Sequence, residues 1–337
     1  MKALVLVGGF GTRLRPLTLT APKQMLPICG RPMIEWVVER LAPFGVDEVI
    51  LSLGYRPDSF VSAYPDGHCA GLPIRYVTEP EPMGTAGAVR FAADEIGFDD
   101  TFLVLNGDVL TDLDVGELVR FHRRAGAVAT IALHRVEDPS AFGVVPTDET
   151  GRVTAFVEKP PPGEAPTDLI NAGTYVLEPA VVASIPPGRQ VSIERETFPA
   201  LVDAGGLYAM ASDAYWLDTG TPELFIRANL DIISGAREGV SVEAIEGTVH
   251  VGAEVSDSVI GSGTTIAEGS RVAGSVIFSD VSVGEGAVIT DSILMHGVRV
   301  GAGAHITGSS VIGENESITA GAVIEGMRIP SPDGVAG

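Results

Sequence analysis

The sequence predicts an α/β domain with a mostly parallel sheet, followed by a parallel β-helix. Up to about residue 235, short apolar runs alternate with stretches that carry apolar residues at helical spacing, which is typical of an α/β layer fold. From about residue 248, single aliphatic residues recur at short, regular intervals among glycine and serine. A repeat of this kind is typical of a solenoid, in which each unit packs on the next.

The composition and the charge limit the function classes. Of the 337 residues, 45% are hydrophobic and 20% are charged, which favours a packed globular chain of about two domains. The 22 basic and 44 acidic residues give a formal net charge of -22. Nucleic acid and anionic membrane surfaces would be repelled, so we expect neither as a partner. Any phosphate ligand must be bound by a local cluster of cations.

The N-terminal run and the cysteines indicate the compartment. Glycines interrupt the first apolar run too early for a signal peptide or a membrane span. Cys29 and Cys69 are the two cysteines, and this number predicts a reducing compartment without a disulfide framework. We therefore expect a cytoplasmic protein.

The first part of the chain contains seven candidate strands and three candidate helices. The predicted strands cover residues 3–7, 48–53, 74–78, 101–105, 127–133, 143–146 and 173–176. The predicted helices cover residues 33–41, 87–93 and 115–125. Because ligands of open α/β sheets bind beyond the carboxyl ends of strands, we look for a site in the loops that follow them.

A glycine loop follows the first strand. Residues 8–13 read Gly-Gly-Phe-Gly-Thr-Arg, and Arg15 and Lys23 come shortly after. Glycines lack Cβ atoms, so successive backbone N–H groups can converge on anionic oxygens while the cations supply charge. The loop therefore predicts a site for a nucleoside triphosphate. A turn without a ligand is the alternative interpretation.

Two commoner glycine loops are excluded. A Walker loop needs a Lys-Ser or Lys-Thr pair after its glycines, and none follows here. The dinucleotide fingerprint needs glycine three residues after Gly11, and that residue is Leu14.

Two aspartates lie in motifs suited to a metal ion. Asp108 follows the fourth predicted strand, and Asp218 lies in Trp-Leu-Asp-Thr-Gly at 216–220. Mg²⁺ is typically held by one or two carboxylates together with substrate phosphate oxygens. The alternative for each is a turn or cap residue, because aspartate before glycine or threonine favours turns.

Two further motifs could bind a sugar phosphate. Glu158-Lys159-Pro160 follows a predicted strand at 152–157, and the proline could aim the lysine at a fixed anion. Asn171-Ala172-Gly173 supplies an amide and a flexible backbone, which suit sugar hydroxyls. A surface ion pair and a plain turn are the respective alternatives.

The second part of the chain has a regular long-range repeat. Aliphatic residues from 249 to 306 recur in steps of five or six, and three steps make one unit. Short phrases that begin at Ser258, Ser275 and Ser292 recur at a constant period of 17, and one at Ser310 begins one position later than this period predicts. The period predicts a parallel β-helix whose coils bury their aliphatic residues against each other.

Together these motifs resemble the sugar-1-phosphate nucleotidylyltransferases, also called nucleotide-sugar pyrophosphorylases. The resemblance rests on residues 6–14, 22–23, 84–87, 106–108, 158–160, 171–173 and 216–220, and the repeats resemble the β-helix of the same family. Segments 136–143 and 192–199 are most similar to the mannose-1-phosphate guanylyltransferase branch. One departure is Gln24, where many relatives have proline.

The resemblance implies the domains and the reaction. It implies a Rossmann-like nucleotidyltransferase catalytic domain at 1–235 and a left-handed β-helix of hexapeptide repeats at 245–326. The reaction would join a nucleoside triphosphate to a sugar 1-phosphate by in-line attack on the α-phosphorus, releasing pyrophosphate. Separately, the net charge of -22 and the open edges of the repeated coils predict a homo-oligomer formed through the β-helix.

The resemblance also assigns roles by position. Catalysis would rest on Arg13, Lys23, Asp108 and Asp218, of which Asp108 and Asp218 would bind Mg²⁺. The nucleotide would be bound by Leu6, Gly8, Gly9, Gly11, Thr12, Arg13, Glu79, Gly84, Thr85 and Asp108. The sugar phosphate would be bound by Gly143, Glu158, Lys159, Asn171 and Gly173.

Glu79 bears on the base. Uridylyl and thymidylyl relatives carry glutamine at this position, whereas a carboxylate only accepts hydrogen bonds. Guanine offers two adjacent donors on its Watson–Crick edge, so we expect GTP and mannose 1-phosphate as substrates. The alternative within the family is a UDP-glucose or dTDP-glucose pyrophosphorylase. A solvated glutamate at a strand end is the alternative without a ligand.

Two other classes of function compete with this one. A non-catalytic regulatory subunit that senses nucleotide sugars would be favoured by loss of Lys23, Asp108 or Asp218, and all three are present. An acyltransferase could use His296 or His305 of the β-helix as a base. No companion residues are evident, so we expect both histidines on coil surfaces.

Overall fold

The computed structural model describes residues 1–54, 56–237, 240 and 242–331. The chain forms two compact units, one of Met1–Gly9 with Ile34–Trp216 and one of Phe10–Met33 with Leu217–Gly337. The division falls inside the glycine loop, because Gly8 and Gly9 belong to the first unit and Gly11 belongs to the second. The domain limits 1–235 and 245–326 stay predictions.

The part of the chain before the repeats forms strands, helices and short 3₁₀ turns. The strands are β1 Lys2–Val7, β2 Pro27–Ile28, β3 Arg31–Pro32, β4 Glu48–Leu53, β5 His68–Cys69, β6 Leu72–Thr78, β7 Phe102–Asn106, β8 Val109–Thr111, β9 Ala129–Arg135, β10 Gly143–Val144, β11 Val157–Glu158, β12 Leu169–Leu177, β13 Leu207–Ala211 and β14 Trp216–Asp218. The helices are α1 Met33–Val38, α2 Pro57–Ala63, α3 Gly84–Ile96, α4 Val115–Ala125, α5 Pro179–Ser184, α6 Phe198–Asp203 and α7 Pro222–Ile233, with a π-helical turn at Ile193–Thr197.

Helix α4 shows how local sequence sets these elements. Its N-cap is Asp114, whose carboxylate accepts a hydrogen bond from the backbone N–H of Glu117 at 2.8 Å. It ends at Gly126, which adopts a left-handed φ of 61° that glycine tolerates. Leu118 and His122 lie on its buried face. The predicted helix at 115–125 is confirmed.

The sheet of the first unit has ten strands and is mixed. Its order is β11-β10-β12-β7-β1-β4-β6-β5, and β9 pairs with both β12 and β13. The four neighbours β7, β1, β4 and β6 are parallel, while β12 runs antiparallel to β7 and to β9. The predicted Rossmann-like α/β class is confirmed. Its core is aliphatic and aromatic, as in Leu4, Ile50 and Val104 of the central strands.

The strand predicted at 152–157 forms only in part. Arg152 and Val153 make isolated bridges, and β11 begins at Val157. Phe156 is used for packing, since its ring lies 5.4 Å from that of Phe198. The intervening chain therefore has no ladder partner among the residues that the structure describes.

The repeats form three parallel stacks of five strands each. The strands are β15 Thr248–Val249, β16 Glu254–Ser256, β17 Val259–Ile260, β18 Thr265–Ile266, β19 Arg271–Ala273, β20 Val276–Ile277, β21 Ser282–Val283, β22 Val288–Thr290, β23 Ile293–Leu294, β24 Arg299–Val300, β25 His305–Thr307, β26 Val311–Ile312, β27 Ser317–Ile318, β28 Val323–Glu325 and β29 Arg328–Ile329. Every third strand joins the same stack. The parallel β-helix is confirmed, and its left-handed sense stays a prediction.

The pairing register follows the predicted period. Val255 pairs with Val272, which pairs with Ile289, so each step in this stack equals the period of the sequence. The step from His305 to Val323 is one residue longer. Buried aliphatic side chains fill the interior of the coils. His296 and His305 are exposed, as expected from the sequence.

A column of buried serines links successive coils. The hydroxyl of Ser258 accepts a hydrogen bond from the backbone N–H of Ser275 at 3.0 Å, and the Ser275 hydroxyl accepts one from Ser292 at 3.2 Å. Each of these hydroxyls also donates to the carbonyl oxygen two residues earlier. Ser310 instead donates to the carbonyl three residues earlier, because the step from Ser292 places one extra residue at this corner. The serines thus satisfy buried backbone groups that the strands do not pair.

Two further features concern the whole chain. Cys29 and Cys69 are both buried, and neither forms a disulfide. Within the described ranges, no helix is long and apolar enough to cross a membrane.

Candidate active site

In the first unit, four parallel strands end at one edge of the sheet. Strands β1, β4, β6 and β7 are followed by Gly8, Gly54, Glu79 and Gly107. A Cβ atom at Gly54 would lie 3.4 Å from the Cα of Gly8. The Gly107 N–H donates to the carbonyl of Leu6 at 2.9 Å, and a Cβ atom there would lie 3.0 Å from that oxygen. The strand-end loops therefore approach each other closely, in the place where α/β sheets bind ligands.

Glu79 is fixed at this edge. Its backbone N–H donates to the Leu53 carbonyl at 2.9 Å. Its Oε1 accepts a hydrogen bond from the buried hydroxyl of Ser52, and its Oε2 accepts one from the Met83 N–H, each at 3.1 Å. A Cβ atom at Gly8 would lie 3.9 Å from Oε1. Because each carboxylate oxygen accepts two hydrogen bonds, Glu79 keeps acceptor capacity next to Gly8.

Gly84 and Thr85 hold the segment around Val191. Gly84 has a φ of 70°, and a Cβ atom there would lie 2.6 Å from the Val191 carbonyl oxygen. The Thr85 hydroxyl accepts a hydrogen bond from the Ile193 N–H and donates one to Glu194 Oε2, both at 2.8 Å. These contacts explain why glycine is found at position 84 and threonine at position 85. That the two residues bind a nucleotide stays a prediction.

The predicted sugar-site residues of β12 form a local irregularity. The register of β12 against β9 shifts between Asn171 and Tyr175. Asn171 Oδ1 accepts from the Gly173 N–H at 3.0 Å, and its Nδ2 donates to the Tyr175 hydroxyl at 2.9 Å. A Cβ atom at Gly173, whose φ is 74°, would lie 2.7 Å from Asn106 Nδ2. Glycine is therefore required where β12 passes Asn106.

Gly143, Glu158 and Lys159 lie together. Gly143 pairs with Glu158 across an antiparallel bridge, and a Cβ atom at Gly143 would lie 2.7 Å from the Phe156 ring. Lys159 has a φ of 51° and an exposed side chain whose Nζ is 3.9 Å from Glu158 Oε1. This ion pair is at the limit of contact, so the ammonium group is available to a further anion.

Glu194 is a site residue that the sequence did not single out. Besides Thr85, the Ser192 hydroxyl donates to Glu194 Oε2, at 2.7 Å. Burial, and then the charge of Glu194, raises the pKa of Glu158. The pKa of Tyr175 is raised mainly by burial and then by Glu194. Glu194 therefore lies near the other sugar-site groups. The only signal for it was its position in segment 192–199, which resembles the guanylyltransferase branch.

Trp216 is a second such residue. Its indole N–H donates to the carbonyl oxygen of Ala172 at 2.9 Å. Its ring stacks on His134 at 5.3 Å and meets Phe142 edge-on at 5.6 Å. Burial is the main cause that lowers the pKa of His134, so this imidazole is neutral near pH 7. Trp216 thus holds the irregular part of β12 at Ala172, and the aromatic groups that pack against its ring are uncharged.

Asp108 lies in the turn between β7 and β8 and is half-buried. The negative charge of Asp108 contributes, after burial and Glu194, to the raised pKa of Tyr175. Across the described part of the chain, no group of three or more His, Cys, Asp or Glu side chains could hold a metal ion. The first unit therefore offers a single aspartate at this point, which suits a cation that also binds substrate phosphates.

The second unit contains the cationic part of the predicted site. Gly11 has a φ of 56°, and its carbonyl accepts hydrogen bonds from the Thr18 hydroxyl and the Leu14 N–H, both at 2.9 Å. A Cβ atom at Gly11 would lie 2.8 Å from Thr18 Cγ2. Gly11 therefore allows the chain to turn tightly into the 3₁₀ turn Thr12–Leu14.

Lys23, Arg13 and Asp218 come together in this unit. Lys23 Nζ lies 3.3 Å from Asp218 Oδ1, and the lysine side chain is only 7% exposed. A Cβ atom at Gly220 would lie 2.8 Å from Arg13 Nη2 and 3.1 Å from Asp218 Oδ1. Gly220 thus leaves room for the exposed guanidinium beside the carboxylate. Arg13 and Lys23 thus place a guanidinium and an ammonium group near Asp218, and both groups form strong hydrogen bonds with anionic oxygens.

Comparison with known proteins identifies the family of both parts. The sequence profile described as "Nucleotidyl transferase" matches residues 2–235, and that described as "GMPPB C-terminal domain" matches residues 240–334. Mannose-1-phosphate guanylyltransferase of Mycobacterium tuberculosis is 47% identical over 77% of this chain and 72% of its own length. Mannose-1-phosphate guanyltransferase of Emericella nidulans is 45% identical over 67% of this chain, which spans 62% of that protein.

A solved structure supports the same assignment. HddC from Yersinia pseudotuberculosis, complexed with GMP-PN, is 30% identical and has a TM-score of 0.59. The match covers 68% of this chain and 97% of that chain. Since the nucleotidyl transferase profile covers more than half of the residues, this chain belongs to the nucleotidyl transferase family.

Proposed function

We propose that the protein transfers the GMP group of GTP to mannose 1-phosphate, giving GDP-mannose and pyrophosphate. The observation that carries the proposal is the family match over residues 2–235, together with two relatives, 47% and 45% identical, that are named for this reaction. The neighbouring structure complexed with GMP-PN supports a guanine nucleotide.

The position of Glu79 supports guanine as the base. Its carboxylate is held by Ser52 and Met83 and keeps acceptor capacity beside Gly8. An acceptor-only group matches the adjacent ring N–H and amino donors of guanine. Uracil and thymine would instead place a carbonyl oxygen against it, and two acceptors facing each other cost free energy.

The second unit supplies the charge for the triphosphate. In this unit the backbone N–H groups of Gly11 and Thr12 bind phosphate oxygens, and Arg13 adds positive charge. Gly8 and Gly9, which belong to the first unit, are proposed nucleotide ligands as well. Lys23 stabilises the charge that develops at the α-phosphorus. An oxygen of the sugar phosphate forms a bond to that phosphorus, the bond to the bridging oxygen breaks, and pyrophosphate leaves with the electron pair.

A divalent cation fits the aspartates of the family motifs. Asp108 and Asp218 offer oxygen ligands, which is the donor set that Mg²⁺ prefers. When bound, the ion neutralises phosphate charge. Asp218 Oδ1 already lies 3.3 Å from Lys23 Nζ, so this carboxylate orients the lysine before the substrates arrive.

The sugar phosphate is bound in the first unit. The ammonium group of Lys159 binds its phosphate. Glu158 accepts hydrogen bonds from its hydroxyls and the amide nitrogen of Asn171 donates to them, next to the backbone of Gly143 and Gly173.

A turnover assay tests the proposal. Four nucleoside triphosphates are each combined with mannose 1-phosphate or glucose 1-phosphate, in the presence of Mg²⁺, and pyrophosphate release is measured. We expect the highest kcat/KM with GTP and mannose 1-phosphate. A preference for UTP or dTTP with glucose 1-phosphate would refute the base and the sugar but not the transfer. No turnover with any pair would favour a regulatory subunit.

The β-helix is also the proposed site of self-association. Large apolar side chains are exposed on its first and last coils, among them Val251 at 93% and Val323 at 76%. Burial of such side chains against a second copy would remove apolar surface from water. We expect Val323→Asp combined with Val251→Asp to lower the mass measured by light scattering, and an unchanged mass would refute this role.

A further inference from the structure

We infer that Arg328, in the last strand of the β-helix, is a positioning residue that holds the turn bearing Arg13. The inference rests on the proposed function, because that function assigns this turn to the triphosphate. Arg328 Nη1 donates hydrogen bonds to the backbone carbonyl oxygens of Arg13 and Arg15, at 2.7 and 2.9 Å. All three residues belong to the second compact unit.

The turn is anchored on one side by the buried side chain of Leu14 and by the Thr18 hydroxyl, which donates to the Gly11 carbonyl oxygen. It is the three-residue 3₁₀ segment Thr12–Leu14, closed by the backbone hydrogen bonds of Leu14 to Gly11 and of Arg15 to Thr12. Short 3₁₀ turns have poor hydrogen-bond geometry and little stability of their own. A guanidinium donor forms stronger hydrogen bonds than a neutral donor, and one group here holds carbonyls on both sides of Leu14. Arg328 therefore adds a restraint on the two carbonyl groups that flank Leu14.

Two more contacts join the end of the β-helix to the same stretch of chain. The Thr20 hydroxyl donates to Glu314 Oε1 at 3.0 Å. A Cβ atom at Gly313 would lie 3.6 Å from Cβ of Pro16, which is ordinary packing distance. The final coils thus form side-chain hydrogen bonds to this stretch through both Arg328 and Glu314.

The geometry of Arg13 explains what the restraint achieves. Its side chain is exposed, so packing does not fix it, and its guanidinium lies beside Gly220 and Asp218. The location of that charge then depends on the backbone of the turn. A displacement of about 1 Å at a reacting site can lower a rate by up to two orders of magnitude. Arg328 therefore acts on the nucleotide through Arg13, without contact of its own to the substrate.

The test compares four full-length variants with the wild type. Arg328→Ala removes the restraint, Arg328→Lys keeps a cationic donor, and Thr20→Val removes the second contact. Arg299→Ala is the matched control, because this exposed arginine of β24 makes no side-chain hydrogen bond or ion pair with any described residue. Amide hydrogen exchange of residues 11–20 is measured for each, and KM is measured separately for GTP and for mannose 1-phosphate.

We expect Arg328→Ala to speed exchange at residues 11–20 and to raise the KM for GTP about tenfold, with the KM for mannose 1-phosphate unchanged. Arg328→Lys should recover most of both effects, and Thr20→Val should give a smaller change of the same kind. Unchanged exchange, an equal rise in both KM values, or the same result for Arg299→Ala would overturn the inference. If the wild type turns over no substrate pair, the proposed function fails, while hydrogen exchange still decides whether Arg328 holds the turn.

Discussion

The two compact units carry opposite chemistry at their candidate sites. In the first unit, Glu79, Glu158 and Glu194 offer hydrogen-bond acceptors, each held by neighbours on the sheet or its loops. In the second unit, the cationic groups of Arg13 and Lys23 lie near the carboxylate of Asp218. Acceptors can read the donors of a base or a sugar, whereas cations bind any phosphate. Under the proposed function, the glutamates of the first unit would give selectivity, while Lys159 of the first unit and the cations of the second would stabilise phosphate charge.

The largest expected effect tests the charge in the second unit. We expect Asp218→Asn to lower kcat by two or more orders of magnitude while the fold is kept, because the carboxylate orients Lys23 and is a proposed metal ligand. Circular dichroism and steady-state kinetics over a range of Mg²⁺ concentrations measure this. Asp203→Asn, at an exposed aspartate of α6, is the control. Full activity of Asp218→Asn at low Mg²⁺ would contradict the assignment.

The next effect tests selectivity in the first unit. We expect Glu79→Gln to reduce the ratio of kcat/KM for GTP over UTP about tenfold, because an amide weakens the guanine contacts and tolerates uracil. The measurement is the same pyrophosphate assay with both nucleotides. Glu81→Gln changes an exposed glutamate two residues away and should leave the ratio as it is. A lower kcat with an unchanged ratio would assign Glu79 to catalysis and not to the base.

A smaller effect distinguishes residues of the first unit that act on mannose 1-phosphate from residues that act on GTP. We expect Glu194→Gln to raise the KM for mannose 1-phosphate about fivefold, since a charged acceptor becomes a neutral amide near the sugar-site groups. Thr85→Val removes the hydroxyl that donates to Glu194 and should act in the same direction. If Thr85→Val raised the KM for GTP instead, Thr85 would contact the nucleotide directly, as the sequence predicts.

The smallest effect concerns a residue with no part in the chemistry. Ser275→Ala should cost about 1–3 kcal/mol of unfolding free energy, because the buried N–H of Ser292 loses its acceptor. Urea denaturation measures the loss, and kcat should stay within error of the wild type. Ser282→Ala, at an exposed serine of β21, should cost almost nothing. Equal stability of the two variants would show that the serine column does not stabilise the coils.

The features that could be predicted from the sequence are those marked by a pattern within a short stretch of chain. The β-helix follows from a short, constant period, so the pairing of Val255 with Val272 and the spacing of the buried serines were readable directly. The places of Glu79 and Asp108 followed from strand ends, because parallel strands deliver their loops to one edge.

Contacts between segments that are distant in the sequence could not be predicted from such patterns. The Thr85 hydrogen bond to Glu194 spans 109 positions, and that of Arg328 to Arg13 spans 315. Neither has a periodic or local signal. The strand predicted at 152–157 was incomplete for a related reason, since the packing of Phe156 against Phe198 outweighed ladder pairing there.

The number of stacked coils also sets the position of Arg328 along the axis of the β-helix. Neighbouring parallel strands are about 4.8 Å apart, so adding or removing one coil would shift Arg328 by more than the length of a hydrogen bond. The carbonyls of Arg13 and Arg15 would then be out of reach. A single extra residue does not shift Arg328 in this way. The extra residue in the step from His305 to Val323 lies in the corner with Gly308 and Ser309, where φ is 68° and 60°. One extra residue at this corner thus leaves the later pairing of the coils intact, whereas a whole extra coil would break the contact that we infer for Arg328.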